Sequence, residues 1–241
     1  FSIGLVGCGL DCIIMIGEPQ QFEQSAGDTI IWCEDEVALL RLSVELITEH
    51  DPDIIIGWNV IEFDFSVLYE RAEALGLKLA IGRGGLPLYV RKGHFTRVSI
   101  PGRCVIDGID TLKNATYSFE SFSLANVSKE VLGESKLIES NNSLQEIIRQ
   151  FNEDKLSLAA YNRQDCILVN KIFEKLKLLD FAVIRTQLTG LELEKKGGSV
   201  AAFINMYLPL LHRSGYVAPN MGDHGLTFES PGGYVMESLP G

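Results

Sequence analysis

Two aspartates have surroundings that suit a metal-binding carboxylate. Asp64 ends the segment Gly57–Asp64, a few residues after the apolar run Ile54–Ile56. Asp165 lies in a long pattern of helical periodicity, four residues after Tyr161, so the two side chains share one helix face. Clustered carboxylates recruit divalent cations, and these cations in turn contact phosphate groups. The two aspartates are therefore candidates for a metal site.

Each aspartate also has an ordinary structural explanation. Asp64 could be the N-cap of a helix over Phe65–Leu75. Asp165 lies on the apolar stripe of its helix, where a carboxylate is costly unless something neutralises it. It could bind a metal ion, pair with an arginine, or point to solvent at the edge of the stripe. The local patterns leave these alternatives open.

The first half of the chain predicts the strands and helices that would position these residues. The runs Ser2–Val6 and Cys12–Ile16 predict a β-hairpin with a turn over Gly7–Asp11. Apolar residues at helical spacing predict a helix over Glu34–His50. The fully apolar run Ile54–Ile56 predicts a strand buried in the middle of an α/β sheet. Residues 80–102 predict a long loop or hairpin, and 104–106 a further strand.

The second half is mainly helical. Helices are predicted over Ser123–Leu132, from the capping box Ser143–Glu146 onward, and over Asp154–Leu179, Asp180–Leu188 and Val200–Leu211. From residue 216 the chain is rich in glycine and proline, which predicts a connector. This order indicates an α/β fold with a mixed sheet flanked by helices, and a helical and loop extension at the C-terminus. Ligands collect beyond the carboxyl ends of parallel strands in such folds, where Asp64 is expected.

Composition excludes several classes of function. With 241 residues, 46% of them hydrophobic, the chain can form one large domain with an extension. No apolar run is long enough to cross a bilayer, and no signal peptide is visible. Five cysteines without a Cys-x-x-Cys pair predict reduced thiols in a cytosolic protein rather than a zinc site. A net charge of −11 argues against a module that holds DNA by charge alone.

Three segments together resemble motifs of the proofreading 3′→5′ exonuclease in family B DNA polymerases. Asn59–Asp64 is similar to the second motif, Asn-x(2–3)-Phe/Tyr-Asp, and Tyr161–Asp165 to the third, Tyr-x-x-x-Asp. Ser123–Val127 resembles the Ser/Thr-Leu-x-x-hydrophobic motif that contacts single-stranded DNA in the family. The resemblance to bacterial members spans essentially the whole chain and includes Asp51–Asp64, Ile106–Leu132, Tyr161–Phe173, Gly197–Phe203 and Ser230–Met236.

The resemblance implies an RNase H-like fold and two-metal hydrolysis of single-stranded DNA at its 3′ end. Asp64 and Asp165 would bind Mg²⁺, for which Mn²⁺ can substitute, and Tyr161 would orient the attacking water. The residues that would hold the single strand are Asn59, Phe63, Ser123 and Leu124.

The resemblance also implies two regions. Residues 1–190 would form the exonuclease domain, and residues 191–241 a helical connector toward the polymerase palm. In that connector, Gly232 and Gly233 would touch template DNA, although the two residues by themselves favour a plain two-glycine turn. The implied partners are the single-stranded 3′ end and primer–template DNA, with a sliding clamp as a candidate partner of the full-length protein. The implied location is the bacterial cytoplasm at the nucleoid, with no membrane association.

The first motif of the family, an Asp-x-Glu on a strand before Ser2–Val6, is absent from this chain. The nearest acidic residues, Glu18, Glu34–Glu36 and Asp107, lie on predicted turns, helix starts or another strand. In the family that strand is the central one, so we expect the sheet to be split or paired with another chain. Because the chain begins in mid-pattern at Phe1, we interpret it as a piece of a larger polymerase that by itself hydrolyses DNA poorly or not at all.

Two other functions stay open. One is a free-standing exonuclease acting on DNA or RNA, against which the extension Gly197–Gly241 argues. The other is a degenerate exonuclease fold that only positions DNA, against which the joint presence of Asp64, Tyr161 and Asp165 argues. The basic stretch Arg91–Arg97 could contact DNA or be a solvated loop.

Overall fold

The computed structural model describes residues 2–18, 29–93, 95–133, 143–195, 197–220 and 233. Its strands are β1 (Ser2–Gly7), β2 (Leu10–Ile16), β3 (Thr29–Cys33), β4 (Ile54–Gly57), β5 (Tyr89–Arg91), β6 (Arg97–Ser99) and β7 (Cys104–Asp107). Its helices are α1 (Glu36–His50), α2 (Asp64–Ala74), α3 (Gly108–Asn114), α4 (Leu124–Leu132), α5 (Ser143–Glu153), α6 (Lys155–Lys175), α7 (Leu178–Thr189) and α8 (Ser199–Arg213). None of the helices described is long and apolar enough to cross a membrane.

The strands form two separate sheets and a hairpin instead of one continuous sheet. β1 pairs antiparallel with β2, and β2 pairs parallel with β3. β4 pairs parallel with β7, and β5 pairs antiparallel with β6. Within the described residues, β1 and β4 thus each have one edge without a neighbouring strand. The expectations of a split sheet, of an N-terminal hairpin and of a hairpin within residues 80–102 are confirmed.

Several predictions of local structure need correction. β4 is an edge strand whose isoleucines are only half-buried, because the side away from β7 is open. The helix expected over Asp154–Leu179 ends at Lys175, since Lys177 is left-handed with φ 52°, and α7 begins directly afterwards. The sequence patterns did not predict β3 or α3. Asp107 caps α3 by accepting the backbone N–H of Ile109 at 2.9 Å, which explains why a helix can start at Gly108.

Three apolar clusters form the core of the described residues. In the first, α1 and α2 pack on the sheets around Ile14, Leu40 and Phe65. The second joins α4, α6 and α7 to β7. The third packs Ile13 of β2 against Leu158 of α6. Because successive strand residues point to opposite faces, β2 is covered by helices on both sides.

The chain after residue 190 first packs back onto the sheet. Leu191 is buried, and the carboxylate of Glu194 accepts the backbone N–H of Val105 on β7 at 2.6 Å. α8 then packs on α7 but presents many apolar side chains to solvent, among them Val200 and Phe203. The predicted connector therefore begins with a segment that is part of the packed domain.

Candidate active site

A cleft of about 610 Å³ separates the two sheets, with β1 on one wall and β4 on the other. Its walls are mainly apolar and include Ile3, Leu5, Leu39, Leu40, Ile47, Ile54, Ile55, Ile56, Phe65, Leu68, Val169 and Leu179. Asp64 and Asp165 both line this cleft. The structure thus brings together the two predicted metal ligands from distant parts of the chain.

Asp64 is the first residue of α2. The N-cap position belongs to Phe63, and no side-chain hydrogen bond caps the helix, so the alternative in which Asp64 is the N-cap is wrong. Burial raises the pKa of Asp64 to about 6, its own backbone N–H lowers it, and the charge of Asp107 raises it further. Asp64 is an exposed residue, but it lines the mainly apolar cleft, which accounts for a raised pKa despite that exposure.

The charges of both aspartates act on one thiol in the cleft wall. Burial raises the pKa of Cys166 to about 12, and the charges of Asp165 and then Asp64 contribute to the increase. The two carboxylates therefore lie near the same point of the cleft. The thiol stays protonated at neutral pH, which makes it a poor metal ligand.

Several contacts hold α6, and with it Asp165, against β1 and β2. The Asn162 side-chain amide donates to the Ser2 hydroxyl at 2.9 Å. Arg163 forms a bidentate pair with Asp11 at 2.7 and 2.6 Å. Gly4 permits the close approach, because a Cβ there would lie 2.8 Å from the Oδ1 of Asn162. Asn162 also lines the cleft, a position that the sequence did not reveal.

Tyr161 occupies a different place from the two aspartates. Its side chain is half-buried and packs against the third cluster, which contains Ile13, Met15 and Leu158. It is not among the residues that line the cleft in the described part of the chain. The structure therefore separates Tyr161 from the cleft, although only one helical turn lies between it and Asp165.

The predicted single-strand-binding residues differ in exposure. Asn59 is exposed and left-handed with φ 60°, and Phe63 is 60% exposed. Ser123 is exposed and caps α4 through a bond from the backbone N–H of Asn126 at 3.3 Å. Leu124 is only 6% exposed and belongs to the second cluster, so its side chain is a core residue.

The remaining residues predicted to contact DNA either do not line the cleft or lie outside the residues that the structure describes. Gly233 is exposed, and Gly232 lies outside the described residues. In the basic stretch, Arg91 and Arg97 face each other across the β5–β6 hairpin and are exposed. Lys92 instead forms an ion pair with Glu70.

Asp107 and Trp58 organise the loop between β4 and α2, and sequence analysis gave neither residue this role. Asp107 is 5% exposed, and its Oδ2 accepts the backbone N–H of Ile61 at 3.4 Å. Burial raises its pKa, and the charge of Asp110 contributes to the increase. The Trp58 indole N–H donates to the Phe122 carbonyl at 2.9 Å. A large side chain with a donor, next to a motif residue, was the available signal for Trp58.

The residues present fit part of a divalent-cation site. Asp64 and Asp165 both line the cleft and offer the carboxylate oxygens that Mg²⁺ prefers. Over the described ranges, however, no group of three or more His, Cys, Asp or Glu residues is arranged to hold a metal ion. Two carboxylates are fewer than a two-metal site needs.

The α/β fold is that of an exonuclease domain of the RNase H-like type. The family model for the exonuclease domain of DNA polymerase family B matches residues 11–127. The chain therefore carries an exonuclease region of the family B DNA polymerases. The match includes Asn59, Phe63, Asp64, Ser123 and Leu124.

Individual relatives extend the similarity beyond the matched domain. The chain is 42% identical over 246 residues to DNA polymerase II of Escherichia coli (strain K12), covering 100% of this chain and 31% of that protein. It is 30% identical over 214 residues to a DNA polymerase of Archaeoglobus fulgidus, covering 87% of this chain and 26% of the relative. It is 27% identical over 227 residues to the DNA polymerase delta catalytic subunit of Candida albicans, covering 88% of this chain and 22% of that protein. The chain spans less than a third of the length of these curated relatives.

Proposed function

We propose that this chain is the proofreading 3′→5′ exonuclease region of a DNA-directed DNA polymerase, and that the cleft beside Asp64 and Asp165 receives the 3′ end of single-stranded DNA. One observation carries the proposal: the two aspartates of separate sequence motifs line one cleft between β1 and β4. The similarity over the full chain to a bacterial DNA polymerase supports the same assignment.

In this proposal the protein side chains divide the work of hydrolysis. Asp64 and Asp165 hold Mg²⁺, or Mn²⁺ in its place. When bound, a pair of such ions supplies a nucleophilic hydroxide and stabilises the leaving 3′ oxygen. Tyr161 orients the attacking water. Because its side chain packs against the third cluster and does not line the cleft among the described residues, this role requires its hydroxyl to move toward Asp165.

The single strand lies across the loop between β4 and α2 and the start of α4. Phe63, which is 60% exposed, packs on a base or sugar, and Asn59 contacts the frayed end. Ser123 holds the same strand with its exposed hydroxyl, and Leu124 supports that segment from the core. An exposed aromatic ring beside a cleft lined by two carboxylates suits a site that stacks an unpaired nucleotide.

We further propose that this chain alone hydrolyses single-stranded DNA poorly or not at all. The Asp-x-Glu motif is absent from the sequence, and the cleft lies between the two strand edges that such a motif strand would join. Release of label from a 3′-labelled oligonucleotide in Mg²⁺ tests this directly. A rate equal to that of an intact homologous polymerase would contradict the proposal.

Metal titration tests the site itself. Mn²⁺ binding, followed by electron paramagnetic resonance, should be weak, on the order of millimolar, because only two carboxylates contribute. Asp64→Asn and Asp165→Asn should each weaken it at least about tenfold, since each removes an anionic ligand. Asp180→Asn, an exposed carboxylate on α7, is the matched control and should leave binding unchanged. Binding that is independent of Asp64 and Asp165 would favour the alternative of a module that only positions DNA.

The properties of a longer protein follow as proposals from the same assignment. Residues 1–190 act as the exonuclease domain and 191–241 as the connector to a polymerase palm, with Gly232 and Gly233 against template DNA. Primer–template DNA and a sliding clamp are the proposed partners, and the bacterial cytoplasm at the nucleoid is the proposed location. The absence of a third metal ligand among the described residues is the observation that favours the positioning module as the second candidate.

A further inference from the structure

Trp58 links the two segments to which we assign single-strand binding. It directly precedes Asn59, and its indole N–H donates to the backbone carbonyl of Phe122, which directly precedes Ser123. The donor and acceptor atoms are 2.9 Å apart and belong to residues separated by 64 positions in the sequence. One hydrogen bond therefore joins the loop before α2 to the start of α4.

The Trp58 ring has a fixed place. A Cβ on Gly108 would lie 2.8 Å from its Cε3 and 2.9 Å from its Cζ3, so the ring lies directly against the first residue of α3. The ring also packs in the second cluster, to which Phe122 and Leu124 belong. A ring that packs against Gly108 and donates its N–H to Phe122 can hold the attached backbone in one position.

Other residues of the loop are also held by buried contacts, so the exposed side chains extend from a backbone that is fixed in place. Val60 and Ile61 are buried in the first cluster, and Asp107 accepts the N–H of Ile61 at 3.4 Å. Asn59 and Phe63 remain exposed. The hydrogen bond of Trp58 to Phe122 links this anchored loop to the start of α4.

We propose that Trp58 is a positioning residue that sets the spacing between the segment Asn59–Phe63 and Ser123, so that both contact one DNA strand at the same time. The inference rests on the proposed function. Two contacts held at a fixed spacing bind a strand more tightly than two that move independently, because less ordering accompanies binding.

The first test uses Trp58→Phe, which keeps an aromatic ring and removes the N–H donor. Binding of a fluorescein-labelled oligothymidylate of about 12 nucleotides is measured by anisotropy in EDTA, so that no cleavage occurs. We expect the dissociation constant to rise up to about fivefold, because without this bond of about 1 kcal/mol the two segments must be ordered when DNA binds. Trp32→Phe is the matched control, because Trp32 is on β3 and packs against the third cluster. It should bind like the unaltered chain.

The second test separates positioning from general stability. Phe63→Ala and Ser123→Gly are combined in a double-mutant cycle of DNA affinity; glycine is used because it is tolerated at an N-cap. The two effects should be coupled in the unaltered chain and additive in the Trp58→Phe background, with thermal unfolding confirming that each variant is folded. If Trp58→Phe does not fold, Gly108→Ala replaces it, since the added Cβ displaces the ring without removing the donor.

The outcomes distinguish this inference from the proposed function. Failure of the unaltered chain to bind the oligonucleotide would overturn both. Equal binding by the unaltered chain and the Trp58 variant, or coupling that persists in that variant, would overturn the positioning role alone.

Discussion

Asp64 shows how a cleft changes the chemistry of one residue. Its surface faces the gap between β1 and β4, and burial raises its pKa to about 6. At neutral pH the carboxylate is therefore ionised at a cost in free energy that an ordinary surface aspartate does not have. A bound cation would remove that cost, as expected for a carboxylate that binds a metal ion.

The raised pKa of Asp64 predicts a pH-dependent stability. The folded pKa of about 6 lies above the unfolded value of about 3.9, so folding loses stability as pH rises from about 4 to about 6. Asp64→Asn should therefore raise the free energy of unfolding by about 1 kcal/mol at pH 7.5, after allowance for the exposure of Asp64, and change it little at pH 4. Urea denaturation at both pH values measures this. Asp180→Asn is the control, and an equal gain in that variant would contradict the assignment.

The missing side chain of Gly4 allows α6 to pack closely against β1. A Cβ there would lie 2.8 Å from both Asn162 Oδ1 and Cys166 Sγ. Gly4→Ala should cost about 1–3 kcal/mol of unfolding free energy and weaken Mn²⁺ binding, because it pushes α6 and Asp165 away from the cleft. Gly198→Ala is the matched control, since no atom lies within 4 Å of its added Cβ. Similar unfolding curves for the two variants would show that the contact is not tight in solution.

At the scale of elements, buried polar contacts fix the start of β4. Arg103, which is 6% exposed, donates to the Ile81 carbonyl at 2.8 Å, to the Pro52 carbonyl at 2.6 Å and to Asp51 at 2.7 Å. It thereby ties the beginning of β7 to the residues that lead into β4. The position of the loop that carries Asp64 depends on this junction, since that loop follows β4 directly.

Two arginines around Asp51 allow a matched comparison. Arg103→Ala should lower the free energy of unfolding by about 3 kcal/mol, because it leaves the buried carbonyl of Ile81 and the half-buried carbonyl of Pro52 without their donor. Arg83→Ala removes the other partner of Asp51, but the Arg83 side chain is 42% exposed, so the loss should be clearly smaller than that of Arg103→Ala. Chemical denaturation gives both values. Equal losses would mean that burial of Arg103 contributes nothing.

At the scale of the whole molecule, the cleft divides what would otherwise be one sheet. β2 has neighbours on both sides, whereas β1 and β4 are each paired on one side only within the described residues. Both open edges are flanked by apolar side chains, so a further strand of suitable pattern could join the two sheets. The molecule is thus built around a gap that passes beside both candidate metal ligands.

Hydrogen exchange followed by NMR tests the open edges. Alternate amides of β1 and β4, those that point into the cleft, should exchange roughly a hundredfold faster than the amides of β2, because only β2 is paired on both sides. The β2 amides serve as the internal control. Uniform protection along β1 would show that another chain or segment closes the cleft in solution, and sedimentation would identify a second copy.

Local chemistry made much of the fold predictable. The Asp35, Ser123 and Asp154 caps, the left-handed Gly133 and the apolar periodicity of α1 are all visible in short windows of sequence. β3 could have been found, since Thr29–Cys33 is a run of apolar and β-branched residues. The start of α3 was hidden because an Asp-Gly pair after a strand usually indicates a turn.

The sequence by itself determined the family, the N-terminal hairpin, the helices and the identity of the two acidic motifs, because these depend on residue type and on contacts close along the chain. Only the tertiary structure decided that Asp64 and Asp165 share a cleft, that Leu124 is in the core, and that Tyr161 packs against the third cluster. Those properties depend on which face of α4 or α6 meets another element and on strand edges far apart in sequence. Helical spacing defines which residues share a face, but only packing decides what each face meets.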